Sequence, residues 1–263
     1  MADSTSSSEA RQEIRLYATE IGSILGLNPY CSRLDVIKRV WERIDKVGIP
    51  DTCRPPLDLL KAIGLTKSGR EFRRQKYSIK DHAKFDELVA RLKTSLSDEG
   101  QTELVDMARG FVRTEMGKNS EMLAIDIAEA NPCIGKCSST QKTYERLAWT
   151  SSDEQVEVVI LGRIDCLDEI DRVVEIKTRF GRKPNVSPTE FAQLQTYLFL
   201  AQKQQGYVIE LFEGEKLFIN LPLAFDKPWW INEVIPALAS FANDLISSMA
   251  EKTLVSSSDD EFH

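Results

Sequence analysis

Apolar positions along the chain change their period near residue 143. Upstream the spacing is helical. Residues 33–46 place Leu34, Ile37, Val40, Trp41 and Ile44 on one helical face. Residues 11–27 predict an earlier helix that stops at Gly26 and the Asn28-Pro29 turn. Residues 48–80 are interrupted by Pro and Gly and read as an irregular insertion or a small subdomain. Residues 81–96 and 101–130 read as helical, and residues 131–140 as a loop. Downstream the pattern shifts to strands at 143–150, 155–166 and 172–178, with Asp168-Glu169 as a turn between the last two. A helix follows from Thr189 to Lys203. A hairpin comes next, built from 207–212 and 216–221 around Glu213-Gly214-Glu215, and then a closing helix over 230–249. There is no internal repeat. The order predicts a layered α/β domain, too irregular for a Rossmann or barrel repeat.

Composition agrees with a globular chain. Of 263 residues, 42% are hydrophobic and 29% charged, which excludes a fibrous or wholly disordered protein. No apolar run is long enough to span a bilayer, and the N-terminus lacks the charged and apolar regions of a secretory signal. The expectation is a soluble intracellular protein with no membrane partner. Five cysteines, Cys31, Cys53, Cys133, Cys137 and Cys166, form no CxxC pair. That argues against a zinc site or disulfide scaffold and for a reducing compartment.

The net charge of -7 argues at first against a nucleic-acid partner. Five of those negatives, Asp3, Glu9, Asp259, Asp260 and Glu261, lie in Ser-rich ends (1–10 and 254–263) that read as disordered tails. Residues 67–80 hold Lys67, Arg70, Arg73, Arg74, Lys76 and Lys80 against Glu71 alone. Lys177, Arg179, Arg182 and Lys183 form a second knot. Basic patches of this kind either line a solvated face or bind a polyanion locally.

The residues that carry chemistry surround Gly162-Arg163-Ile164-Asp165 and Glu175-Ile176-Lys177. Strand alternation puts Glu175 and Lys177 on one side and Ile176 on the other. A turn near 168–170 brings Asp165 alongside them. Two carboxylates suit Mg²⁺, a hard cation that takes few protein oxygens. A lysine beside them can orient or help deprotonate a metal-bound water, or stabilise charge on a phosphate. The bland alternative is a solvated hairpin with a cross-strand ion pair. Glu121 sharpens the choice. It shares a helical face with Ala124, Ile125 and Ala128, where a carboxylate costs free energy unless it is paired or binds a metal. Gln193 and Tyr197, four apart, share one face of the helix that follows Lys177.

In order and spacing, Gly117-xxx-Glu121, Gly162-Arg-Ile-Asp165, Glu175-Ile-Lys177 and Gln193-xxx-Tyr197 resemble the PD-(D/E)XK nuclease superfamily. Within it the chain is similar to the lambda-exonuclease and YqaJ viral-recombinase branch, whose LGxNPY turn is matched by Leu25-Gly26-Leu27-Asn28-Pro29-Tyr30. The closing helix from Trp230 to Leu245 also resembles that branch. The resemblance covers about residues 11–248 and is thin over 45–110.

The resemblance implies a restriction-endonuclease-like α/β core, a central mixed β-sheet flanked by helices, with an N-terminal helical region. It implies Mg²⁺-dependent hydrolysis of DNA phosphodiesters, with Mn²⁺ as a substitute, and 5′→3′ resection of linear duplex ends in recombination, repair or viral DNA processing. Carried over by position, Glu121, Asp165 and Glu175 would be metal ligands together with the Ile176 carbonyl. Lys177 would position or activate water. Gln193 and Tyr197 would support the site or touch substrate, with Arg179 beside them. The branch's 5′-phosphate arginine falls on Arg15, the nearer candidate, or Arg11. A homo-oligomer and a single-strand annealing partner are further implications.

The expected organisation is one nuclease domain over 11–253, comprising the 48–110 insertion, a 116–222 catalytic core and the 230–249 closing helix. An endonuclease or single-strand nuclease on the same scaffold is the second reading. A DNA-binding module without turnover is the third.

Overall fold

A computed structural model describes residues 11–44, 87, 123–179, 186–212 and 216–259, the last nine of these by backbone alone. Of the ends expected to be disordered, 1–10 and 254–263, residues 1–10 and 260–263 lie outside the described residues, as do most of the 48–110 insertion with its basic patch, Glu121, Arg182 and Lys183.

Residues 11–27 do not form one helix. The chain opens with β1 (Gln12–Tyr17) and turns helical only at Ala18, leading into α1 (Ile21–Ile24). The apolar spacing of Ile14, Ile21 and Ile24 suits a helix. Ile14 and Leu16, two apart and both fully buried between exposed Glu13, Arg15 and Tyr17, follow the strand period instead. What decides between them is a distant partner. β1 lies parallel to β3 (Val156–Arg163), with Gln12 opposite Val156 and Tyr17 opposite Leu161. Such a pairing cannot be read from local periodicity. α2 (Arg33–Ile44) follows, burying Val36, Ile37 and Val40.

Among the described residues, two sheets make up the strand content. The first has the order β1-β3-β2, with β2 (Thr143–Thr150) antiparallel to β3. β4 (Cys166–Leu167) and β5 (Val173–Arg179) begin the second. It continues through β6 (Gln205–Phe212) to β7 (Lys216–Ile219), with β8 (Leu223–Ala224) also paired to β6. β4 runs antiparallel to β5, and β5 parallel to β6. The chain therefore leaves the first sheet at Arg163 and enters the second at Cys166. Asp165 sits in the two-residue step between them.

Helices cover both faces of the second sheet. One face, with Val174, Ile176, Ile209 and Leu211, buries Ala124, Ile125 and Ala128 of α3 (123–129). On the other side, Val173 and Val208 join the core that holds Leu194, Tyr197 and Leu198 of α4 (Pro188–Ala201). Ser187 caps α4, its hydroxyl accepting the Glu190 N–H, and Pro188 occupies the first turn. Each fully buried leucine, isoleucine or valine in these layers contributes about 1.5–3 kcal/mol.

The closing element starts with a turn at Lys227–Trp229, passes through one π-turn at Trp230–Val234, and continues as α5 (Ile235–Asp259). It runs past the expected end at 249 and six residues into the stretch read as an acidic tail. The architecture is thus mixed α/β, with sheets of mixed strands flanked by helices. Among the described residues no helix is long and apolar enough to cross a membrane.

Candidate active site

Three strand segments converge on Asp165. β4 pairs antiparallel with β5, Cys166 opposite Val174. Continuing that register by one residue sets Asp165 opposite Glu175. On the other flank, β2 pairs with β3, Thr143 opposite Arg163. Continuing it sets Gln141 opposite Asp165, and the Gln141 N–H donates to the Asp165 carbonyl at 2.9 Å. Asp165 therefore stands between Gln141 and Glu175.

Its carboxylate is held from both sides. The Ile176 N–H donates to Oδ2 at 2.7 Å, and the Gln141 side-chain amide donates to Oδ1 at 3.3 Å. The β4–β5 turn that creates this register is clamped by Asp168, which is only 2% exposed. Asp168 accepts the N–H groups of Ile170 and Arg172, the Arg172 guanidinium at 2.6 Å and the Tyr207 hydroxyl at 3.0 Å. All of its buried charge is thereby used in fixing the turn.

Glu175 is buried and gathers the remaining polar groups. Lys177 Nζ donates to its Oε1 at 2.5 Å, and the Gln193 amide nitrogen donates to the same atom at 3.0 Å. Gln193 also accepts from Lys177 Nζ at 3.0 Å and donates to the Tyr197 hydroxyl at 2.8 Å. α4 thus presents Gln193 and Tyr197 one turn apart against the end of β5. The same helix packs closely on β3 because residue 162 of that strand has no side chain. A Cβ there would lie 2.6 Å from Leu200 Cδ1 and 2.9 Å from Tyr197 Cε1.

Burial dominates the electrostatics. It pushes the Glu175 carboxyl up to about 8, with the neighbouring Asp165 adding to the rise and Lys177 opposing it. Burial likewise raises Asp165 against the Ile176 N–H bond and the Lys177 charge. For Lys177, burial acts downward, yet the Glu175 charge prevails and holds the ammonium above its ordinary range. Burial also raises the Tyr197 hydroxyl. At neutral pH the lysine is therefore a cation, while burial favours the protonated form of Glu175 and the ammonium opposes it.

That arrangement suits a hard cation. Buried Glu175 and half-buried Asp165 stand opposite each other, and both offer oxygen donors to a positive centre. Asp165 and Glu175 would hold such an ion, and Ile176 lies between them in the hydrogen-bond network. Among the described residues no third His, Cys, Asp or Glu joins them. Glu121, expected as the third carboxylate, lies outside the described residues, although its predicted face-mates Ala124, Ile125 and Ala128 are all buried.

No family model matches the chain, and no curated protein does. Among solved structures it is similar to the alkaline exonuclease LHK-Exo from Laribacter hongkongensis. The identity is 11%, over 93% of this chain and 94% of that one, with a TM-score of 0.47. LHK-Exo in complex with dAMP shares 14% identity over 66% of this chain and 86% of that one, at a TM-score of 0.39. SSO0001 shares 16% identity over 60% of this chain and 69% of that one, at a TM-score of 0.37.

The three arginines expected at substrate, Arg15, its alternative Arg11 and Arg179, all pair with carboxylates. Arg15 lies on β1 opposite Val159, six residues before Asp165 along β3, or about 20 Å at the rise of a strand. Its guanidinium pairs with Glu13 and Glu145. The alternative, Arg11, pairs with Glu154 and Glu157. Arg179 is nearer the site but enclosed. It grips both oxygens of Glu190 at 2.8 and 2.9 Å and contacts the fully buried Glu210, so its charge ties β5 to the start of α4 and to β6.

Gln141, Asp168 and a thiol pair were not singled out beforehand. Cys137 and Cys166, distant in sequence, bring their Sγ atoms to 2.7 Å as free thiols beside Asp165. The hydrogen bond to Cys137, followed by burial, raises Cys166 and keeps it protonated. Gln141 carried one local signal, its place at the loop-to-strand boundary where the polar run of 138–143 ends. Asp168 was legible only as a turn residue.

Proposed function

We propose that this protein is a metal-dependent deoxyribonuclease of the PD-(D/E)XK type that hydrolyses phosphodiester bonds at the ends of linear duplex DNA, with 5′→3′ polarity. The observation that carries the proposal is the convergence of Asp165, Glu175, Lys177, Gln193 and Tyr197 through the hydrogen bonds described above. A solvated hairpin does not bury Glu175 and cross-link it and Lys177 to the adjoining helix.

Asp165 and Glu175 would hold Mg²⁺, or Mn²⁺ in its place, with the Ile176 carbonyl and Glu121 as further ligands. The ion would polarise a phosphate oxygen and lower the pKa of water. The chain's own residues supply the rest. Lys177 is already an ammonium, so it cannot take a proton from the attacking water. Its Nζ donates hydrogen bonds, which suits it to orient the nucleophile and to stabilise negative charge growing on the phosphoryl oxygens. Gln193 fixes Lys177 and Glu175 relative to each other, using its carbonyl for one and its amide for the other. Tyr197 locks that amide from behind, so the constellation needs little reorganisation during reaction.

The test is degradation of linear duplex DNA bearing 5′-phosphates, with Mg²⁺ and with chelator. Wild type should digest it only with metal and leave covalently closed circles intact. Lys177→Ala should lose at least 1,000-fold in rate while keeping a cooperative melt. Equal rates for wild type and Lys177→Ala would sink the proposal, and cut circles would assign the scaffold to an endonuclease instead.

A further inference from the structure

We infer that Gln141 is a positioning residue for the metal-binding carboxylate Asp165, through a side-chain contact presented by a backbone twisted for that purpose. The inference rests on the nuclease reading above and adds to it a residue that reaches Asp165 from the first sheet.

The β2–β3 ladder, extended past Thr143, places Gln141 directly opposite Asp165. The match is made by main chain and side chain together. The Gln141 N–H donates to the Asp165 carbonyl at 2.9 Å, and the Ile164 N–H donates to the Lys142 carbonyl at 3.1 Å. From that anchored position the Gln141 amide reaches Asp165 Oδ1 at 3.3 Å.

Gln141 has φ +56° and Ser139, two residues earlier, has φ +51°. Left-handed backbone costs a non-glycine residue about 1–2 kcal/mol. A simple connection into β2 would be better served by glycine. Side chains persist at both positions, and at Gln141 the side chain meets the site.

The geometry explains what the contact does. A carboxylate has about four lone-pair directions. The Ile176 N–H uses one on Oδ2, which alone leaves the group free to swing about that bond. The Gln141 amide holds Oδ1 and fixes the plane. The lone pairs that remain are free beside Glu175, which the extended β4–β5 register sets opposite Asp165 and with which a cation would be shared. Residues that orient a ligand in this way typically control metal affinity or activity by 10–100-fold.

The experiment compares Gln141→Gly with wild type by Mn²⁺ titration of the free protein and by cleavage of linear duplex DNA. Glycine keeps the backbone N–H and accepts positive φ without strain, so it removes only the side chain. The melting temperature should stay within about 3 °C of wild type. Mn²⁺ affinity should fall at least tenfold, and kcat should fall with KM for DNA unchanged within twofold. Gln141→Asn, which tolerates the same backbone but is one methylene too short, should show the same loss. Wild-type Mn²⁺ affinity and kcat in both variants, or a change confined to KM, would overturn the inference. Asp165→Asn serves as reference. If it binds Mn²⁺ like wild type, the metal-site reading itself fails, whatever Gln141 does.

Discussion

On the proposed function, Glu175 would make metal binding a proton-release reaction, with the size of the effect following from its burial. Its carboxyl is held at about 8 against an ordinary 4.5. At pH 7 a group with that pKa is about 10% ionised, and ionising it costs about 1.4 kcal/mol. A divalent cation coordinates the carboxylate and not the acid, so apparent affinity scales with the ionised fraction. That fraction rises from about 1% at pH 6 to about 90% at pH 9, a gain of about 90-fold or roughly 2.7 kcal/mol. Calorimetric titration with Mn²⁺ at pH 6, 7, 8 and 9 measures it directly. Repeating pH 7 in two buffers of different ionisation enthalpy should show about 0.9 proton released per ion. Because the folded pKa is raised, the stability contributed by Glu175 in the metal-free protein is complete below about 4.5 and is lost as pH climbs through about 8. Metal-free melting should therefore decline across the window in which Mn²⁺ stabilises most. An affinity that stays flat from pH 6 to 9 with no proton release would refute the reasoning. Glu175→Gln should lose both the affinity and its pH dependence.

Two further outcomes follow from the packing around the site. Gly162→Ala should destabilise by about 1–3 kcal/mol in a denaturant melt, because the new methyl meets Leu200 and the Tyr197 ring. Leu200→Ala should recover part of that cost in the double variant, and strict additivity would show that the two sites do not touch. Arg179→Met should cost about 3–5 kcal/mol, since it removes the guanidinium charge from the fully buried Glu210 and from Glu190. It should leave KM for DNA unchanged in the surviving folded fraction. A raised KM with an unaltered melt would return Arg179 to the substrate.

What could be read from the sequence depended on range. Glu175 and Lys177 share a side because strands alternate, and the turn after Asp165 implied its approach to them; both were local inferences. The pairing of Gln193 with Tyr197 needed only the helical period. The contacts of Gln193 with Lys177 and Glu175 needed α4 to fold back over β5, which its position after the strand suggested. Features set by distant partners were not legible. β1 was read as helix because its strand character comes from pairing with β3, more than 140 residues away. Arg179 looked like a surface cation because the two glutamates that enclose it lie 11 and 31 residues downstream. Asp168 looked like an ordinary turn residue because Tyr207, which completes its burial, belongs to β6.

The buried thiols Cys137 and Cys166 give the molecule an internal clock. Both are nearly or wholly shielded from solvent, and they join the loop that carries Gln141 to the strand that leaves Asp165. An alkylating reagent can reach them only when that junction opens. Under conditions where reclosing outpaces alkylation, the labelling rate is the opening equilibrium multiplied by the chemical rate of a free thiol. Labelling of these two residues, followed by mass spectrometry against exposed Cys133 as the unprotected reference, reads the local opening free energy of the site in unmodified protein. The same measurement with and without metal or DNA reports how much each one holds the junction shut.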